Sequence, residues 1–191
     1  QVKLLNWRCA ALRMMGQFSD AKRDIKNAIA VLNVNGGPPD VKGDVYRRLG
    51  DICAEQGQFK GALRYQKAAL KYYSVLHDLA LTSQVHNSLG IIYKRCGDLG
   101  PAIYHLENAR EGWQKMSNYG LLSATLNNIG IIYQRKGQYE MALDTLRSGI
   151  EASKKHGYKR TEACLLITTG EVFRDSGQYK DALISFQKGL D

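Results

Sequence analysis

Apolar positions along this chain recur at helical spacing, in pairs of stretches. Val2, Leu5, Leu12 and Met15 mark one helix, and after Gly16-Gln17 the residues Ile25, Ala28, Ile29 and Leu32 mark a second. The clearest pair runs through Leu126-Asn127-Asn128-Ile129-Gly130-Ile131-Ile132-Tyr133, turns at Gly137-Gln138-Tyr139, and resumes with Met141-Ala142-Leu143. The phrase recurs. Leu49-Gly50 precedes Gly57-Gln58-Phe59 and Ala62, Leu89-Gly90 precedes Gly97-Asp98-Leu99 and Ala102, and Thr169-Gly170 precedes Gly177-Gln178-Tyr179 and Ala182. The helix glycines fall at 50, 90, 130 and 170, at one constant spacing. A more degenerate copy opens the chain, its Gly16 standing one place further from Gly57 than that spacing requires. A fixed period in this range specifies a repeat array, in which each helix pair buries its apolar face against its neighbours.

The expected organisation is one all-α array of about five copies, 1–40, 41–80, 81–120, 121–160 and a truncated 161–191. The last copy stops within its second helix and neither end carries a polar cap, so the chain is expected to be a fragment of a longer protein. Asn33 through Asp40, with Gly36-Gly37-Pro38-Pro39, is the one strong loop signal. Shorter polar joins are expected at 77–78, 117–120 and 156–158. A glycine inside a helix costs about 0.5–1 kcal/mol relative to alanine. Its repetition at one phase therefore implies a close helix approach, with Ala62, Ala102, Ala142 and Ala182 as the expected counterparts. Tyr65, Tyr72, Tyr73, Tyr104 and Trp113 fall on second helices, where packing between copies is the expected role.

These residues resemble the tetratricopeptide repeat over essentially the whole chain. The helix glycines, the turn glycines Gly57, Gly97, Gly137 and Gly177, the small second-helix alanines, and Ala69, Ala109, Gly149 and Gly189 all fall at that family's framework phases. The 40-residue period departs from the common 34. It is similar to the longer repeats of kinesin light chains, Pins-type spindle-orientation adaptors, peptide-responsive bacterial regulators, and the sensor arms of bacterial LuxR-type activators related to the maltose-regulon activator. The resemblance implies a right-handed α-α superhelix (solenoid) of antiparallel pairs whose first helices line a concave groove. It also implies a non-catalytic scaffold or sensor that binds a protein or peptide segment, within a bacterial transcriptional regulator or signalling protein in the cytoplasm.

Candidate binding residues are the polar side chains at recurring first-helix phases. Asn87, Asn127 and Asn128 precede the Leu-Gly and Ile-Gly pairs, with Arg47 and Arg48 at the equivalent places in the second copy. One to two turns on come Lys94 and Arg95, then Gln134 and Arg135, then Arg174, with Arg13 in the first copy. An asparagine offers both a donor and an acceptor to a peptide backbone, and arginine grips carboxylates with two hydrogen bonds. The set suits an extended or helical segment with acidic side chains. Glu55 and Asp175 interrupt the basic column. The competing reading of each residue is local: asparagine satisfying its own helix, and arginine complementing a helix dipole.

The net charge of +9 and a sequence pI near 9.4 raise nucleic acid, an anionic membrane or an acidic protein as partners. No helix-turn-helix, RNA-binding aromatic motif or continuous basic stripe stands out, which argues against direct nucleic-acid binding. A basic solenoid associated with nucleic acid remains the alternative, as does an arm that self-associates into a homodimer. No apolar run reaches the ~20 residues of a membrane span. No signal peptide is expected from the opening Gln1-Val2-Lys3. Cys9, Cys53, Cys96 and Cys164 form no CxxC pair, and the four histidines sit at unrelated phases, His86 in a core-type one. No nucleotide, metalloprotease or serine-nucleophile motif is present. No enzyme, cofactor or metal is expected.

Overall fold

The computed structural model describes residues 2–190. Gln1 and Asp191, the ends of the first and last expected copies, lie outside them. Among the described residues the secondary structure is helical throughout, with no strand. The helices are α1 (Val2–Met14), α2 (Phe18–Asn35), α3 (Pro39–Glu55), α4 (Phe59–Val75), α5 (Leu79–Cys96), α6 (Leu99–Lys115), α7 (Tyr119–Arg135), α8 (Tyr139–Lys155), α9 (Lys159–Asp175) and α10 (Tyr179–Leu190). Helix pairs therefore begin at 39, 79, 119 and 159, slightly ahead of the expected copies.

The chain forms two compact units, Gln1–Cys96 and Gly97–Asp191. In the first unit each helix of α1–α5 packs on the next, and the first helices also touch one another, α1 on α3 and α3 on α5. In the second, α6–α10 pack in sequence and α7 touches α9. The first unit's core runs from Cys9, Ile25 and Ala28 through Val45, Leu49, Ile52 and Ala62, all almost fully buried. The second unit's cores gather Ala109, Trp113, Leu122 and Leu126, then Ala142, Leu146, Leu165 and Val172. Cys9 and Cys53 are buried free thiols, while Cys96 and Cys164 are exposed.

Three features depart from the sequence expectation. The loop expected over 33–40 shrinks to Gly36-Gly37-Pro38: α2 continues through Asn35, and Pro39 opens α3. Proline at the first helical position loses nothing, because its missing N–H would have no partner there. At Gly50, Gly130 and Gly170 the closest approach is not to the alanine. A Cβ on Gly130 would lie 2.7 Å from Leu146, and one on Gly170 would lie 2.5 Å from Phe186. At Gly50, Gly130 and Gly170 the neighbour is thus Gln66, Leu146 and Phe186, one turn beyond the alanine. The alanines are buried too, in the same helix contact. Of the second-helix aromatics, Tyr73 and Trp113 are buried as expected, but Tyr104 is 63% exposed.

Candidate functional site

The first helices bring the candidate residues onto recurring phases, and each unit builds its own version. In the first unit α1, α3 and α5 carry Asn6, Arg47 and Asn87 at one phase, and Asp51 and Ile91 one turn further along. Arg47 is tied into the fold. Its Nη1 lies 3.4 Å from Asp51, its Nη2 lies 3.6 Å from Asp44, and its side chain is 16% exposed. Burial works against its charge, yet Tyr73, Asp51 and Asp44 raise its pKa overall. Arg13 reaches Asp51 at 3.3 Å and Glu55 at 3.8 Å. The fully buried Gln66 donates to Asp51 Oδ1 at 2.7 Å and to the Arg47 carbonyl at 3.2 Å. Tyr73 donates to Asp44 at 2.6 Å, and burial pushes its pKa well above the usual tyrosine range.

Arg95 donates to the Ala54 carbonyl at 3.2 Å, with its guanidinium 4.9 Å from the Phe59 ring centroid. Between these groups opens a cleft of about 160 Å³, lined by Arg13, Asp51, Glu55, Ser88, Ile91 and Arg95. Arg13 and Arg47 therefore meet carboxylates of the same unit, and the cleft presents both signs. Arg48 is half-buried beside them, its Nε without a hydrogen bond. Asn87 and Lys94 also interact within the fold. His86 is half-buried, and burial lowers its pKa.

In the second unit α7 and α9 supply the set. Gln134 Nε2 donates to Asp175 Oδ2 at 2.7 Å, and Arg174 Nε donates to Asp175 Oδ1 at 2.9 Å. These hydrogen bonds hold the Asp175 carboxyl below its usual range. Arg135 is exposed and also engaged. Asn128 donates to the Ala124 carbonyl at 3.2 Å, as the local reading of such a residue expects. Asn127 behaves differently: its side-chain oxygen is screened from solvent and accepts no hydrogen bond. The same is true of Asn6, which stands at the same repeat phase in α1. Asn6 was missed from sequence because the first copy has drifted around it. The offset of Gly16 from Gly57 is the signal that places it.

A second concavity, of about 550 Å³, lies between α6 and α8 over α7, with Leu122, Leu126, Tyr133 and Met141 among its walls. At the equivalent place in the first unit Tyr46 stacks on Tyr65 and Tyr72, at 6.4 and 5.7 Å between ring centroids, and only about 30 Å³ stays open. Among the described residues no three His, Cys, Asp or Glu side chains cluster to hold a metal ion, and no helix is long and apolar enough to cross a membrane.

The family model described as tetratricopeptide repeat matches residues 79–155. Residues 79–155 carry tetratricopeptide repeats. No curated protein matches it in sequence. Among solved structures it is similar to BtubC (BKLC) from P. vanneervenii, at 17% identity and a TM-score of 0.86, covering 99% of this chain and 78% of that one. It is also similar to the apo form of RapI, at 17% identity and a TM-score of 0.90, covering 98% and 68%. A third is a Rap protein complexed with competence and sporulation factor, at 15% identity and a TM-score of 0.79, covering 99% and 53%. At these identities the likeness is one of fold: tetratricopeptide-type helix pairs in the same order.

Proposed function

We propose that this array is a non-catalytic scaffold that binds a segment of a partner protein along its first helices. The observation that carries the reading is the unused acceptor on Asn127, matched by Asn6 at the same repeat phase. A buried polar atom without a partner costs about 1–3 kcal/mol. The terminal torsion of asparagine is soft, so its amide can turn to meet a backbone N–H from outside. That is the chemistry of a ladder reading an extended chain. The fold likeness to a Rap protein complexed with competence and sporulation factor supports a peptide ligand.

The segment is acidic in this reading, drawn by Arg48, Lys94, Arg95 and Arg135. Arg47, Gln134 and Arg174 act through the carboxylates they hold, fixing the walls of the site. The module is one five-copy array within a longer cytoplasmic regulatory or signalling protein of bacterial type.

The test is binding of the 191-residue chain to a displayed library of acidic and neutral peptides, beside Asn127→Ala/Asn128→Ala/Arg135→Ala. Selected acidic peptides are expected to lose at least about tenfold in affinity, equivalent to ~1.4 kcal/mol. Peptides that bind both proteins equally, or a library from which nothing is selected, would overturn the reading.

A further inference from the structure

The net charge is unevenly divided. Residues 1–96 carry 15 lysines and arginines against seven acids, a net +8, whereas residues 97–191 carry 12 against 11. No run of like charges marks this in the sequence, but folding assembles one. On α4, Lys60, Arg64, Lys67 and Lys71 are spaced four, three and four residues apart and are all exposed. They form one stripe about 16 Å long at 1.5 Å per residue. On α2, Arg23 and Lys26 stand at the phase of Arg64 and Lys67, one repeat earlier, with Lys22 beside them. Both helices pack on α3, and Lys22 Nζ donates to Gln58 Oε1 at 2.7 Å, linking α2 to the turn before α4. Among the described residues, Arg23 alone of these seven cations is in an ion pair, with Asp20 at 2.7 Å. The same phases of α6 and α8 hold Glu107, Glu111, Glu140, Asp144 and Glu151, with Arg147 the one cation there and Lys180 on α10.

We infer that the outer face of α2 and α4 is a docking surface for the phosphate backbone of duplex nucleic acid, without sequence preference. It is distinct from the first-helix site and does not depend on it. Three partners fit a basic face, and its composition selects among them. A protein interface needs apolar or aromatic anchors and is depleted in lysine. Five of these seven residues are lysines, and the exposed large apolar side chains of these helices, Val34 and Val75, stand at their C-terminal ends beyond the cations, with none among them. The same lack of an apolar anchor disfavours a membrane, where a bound helix buries its apolar face in the interface. Exposed Ser19 and Asn27 lie among the cations and supply neutral donors of the kind that commonly share phosphate contacts. A duplex about 16 Å long carries about five phosphates on each strand, in keeping with the cations on the stripe and its neighbour.

The test is fluorescence polarisation of a labelled random-sequence DNA duplex, two helical turns long, with the 191-residue chain. The salt concentration is raised from about 50 to about 200 mM. About five phosphate contacts give a slope of log affinity against log salt near −4.5, a loss of roughly 500-fold over that range. Lys60→Gln/Arg64→Gln/Lys67→Gln/Lys71→Gln is expected to flatten the slope by about 3 to 4. These side chains are exposed, so the variant should keep its circular dichroism spectrum, and Arg23→Gln/Lys26→Gln gives an independent, smaller loss on the neighbouring helix. Asn127→Ala/Asn128→Ala/Arg135→Ala should bind the duplex as the parent does, which separates this surface from the peptide site. Unchanged binding in the α4 variant overturns the inference. So does tighter binding to vesicles of phosphatidylcholine mixed with the anionic lipid phosphatidylserine than to the duplex. Salt-sensitive self-association that the α4 variant abolishes, with no duplex binding, overturns it in favour of a second copy as occupant.

Discussion

At the scale of the residue, Gly130 is where the close helix approach is most open to test. A Cβ there would meet Leu146 at 2.7 Å, and both residues are buried at the centre of the second unit's α7–α8 pair. Gly130→Leu is expected to destabilise by about 1–3 kcal/mol through overpacking, measured by urea unfolding. The sign should turn once the neighbour is removed. In a Leu146→Ala background, Gly130→Ala should stabilise by about 1 kcal/mol, the ordinary helix preference of alanine over glycine. A stabilising Gly130→Leu, or no reversal in the double variant, would sink this contact. That a small residue is needed at 130 was legible in the sequence, since a repeated helix-interior glycine demands a reason. Its neighbour was not. The choice between Ala142 and Leu146 depends on how two helices cross, which residue spacing within either helix does not encode. The ion pairs of Arg47 with Asp44 and Asp51 were likewise invisible, although these partners stand on the same helix, one turn to either side. From sequence that helix face reads as open to a ligand, whereas the fold turns its charges onto each other.

Between the elements, the joins from second helix to next first helix show one backbone solved three ways. His77, Ser117 and Gly157 occupy the same repeat phase with φ of 52°, 54° and 75°. Of these three only the last is a glycine, as is Gly36 at the same phase of the α2–α3 join with φ of 70°; glycine is the residue for which the left-handed region carries no Cβ clash. The first two joins have a compensation that the third lacks. Asp78 accepts from the Leu81 N–H at 2.9 Å and Asn118 from the Leu121 N–H at 3.2 Å, capping α5 and α7, while Tyr158 at the same place gives no side-chain cap. Left-handed backbone costs a non-glycine residue roughly 1–2 kcal/mol, and a helix-terminating glycine relieves it. Ser117→Gly is therefore expected to raise stability by about 0.5–1 kcal/mol, and Gly157→Ser to lower it by a similar amount. The check is the midpoint of chemical unfolding for each. Equal effects of one sign would contradict the strain. The positions of these joins were legible from their polar residues, but their lengths were not: Tyr119 and Gly120 belong to α7, and Asn33 to Asn35 belong to α2. Polar and turn-forming residues end a helix only when nothing packs the next turn, and sequence composition does not report that packing.

For the molecule as a whole, the repeat keeps a common framework while letting the surface diverge, and charge is where the divergence is largest. The buried phases hold small and apolar residues in most copies, Gln66 at the place of Leu106 and Leu146 being an exception, whereas the outer second-helix phases change from Lys60, Arg64, Lys67 and Lys71 to Glu140, Asp144, Arg147 and Glu151. A net +8 confined to residues 1–96 repels itself, and this opposes folding there more than in residues 97–191. In repeat arrays each pair contacts only its neighbours, so such a cost is felt locally. Sodium chloride shortens the screening length from about 30 Å at about 0.01 M to about 10 Å at about 0.1 M. That should relieve repulsion along the α2 and α4 stripes. It should do little to the partly buried pairs of Arg13 and Arg47 with Asp51, which solvent ions screen poorly. Hydrogen exchange followed across that salt range should therefore show the amides of α2, α3 and α4 gaining more protection than those of α7, α8 and α9. Replacing Lys60, Lys67 and Lys71 with glutamine should remove most of the difference, because it removes three of the charges that salt would otherwise screen. Equal gains in both units would mean that the outer stripe is already neutralised. The duplex titration would then show a weak salt dependence as well, so the exchange experiment bears on the docking surface without any ligand present.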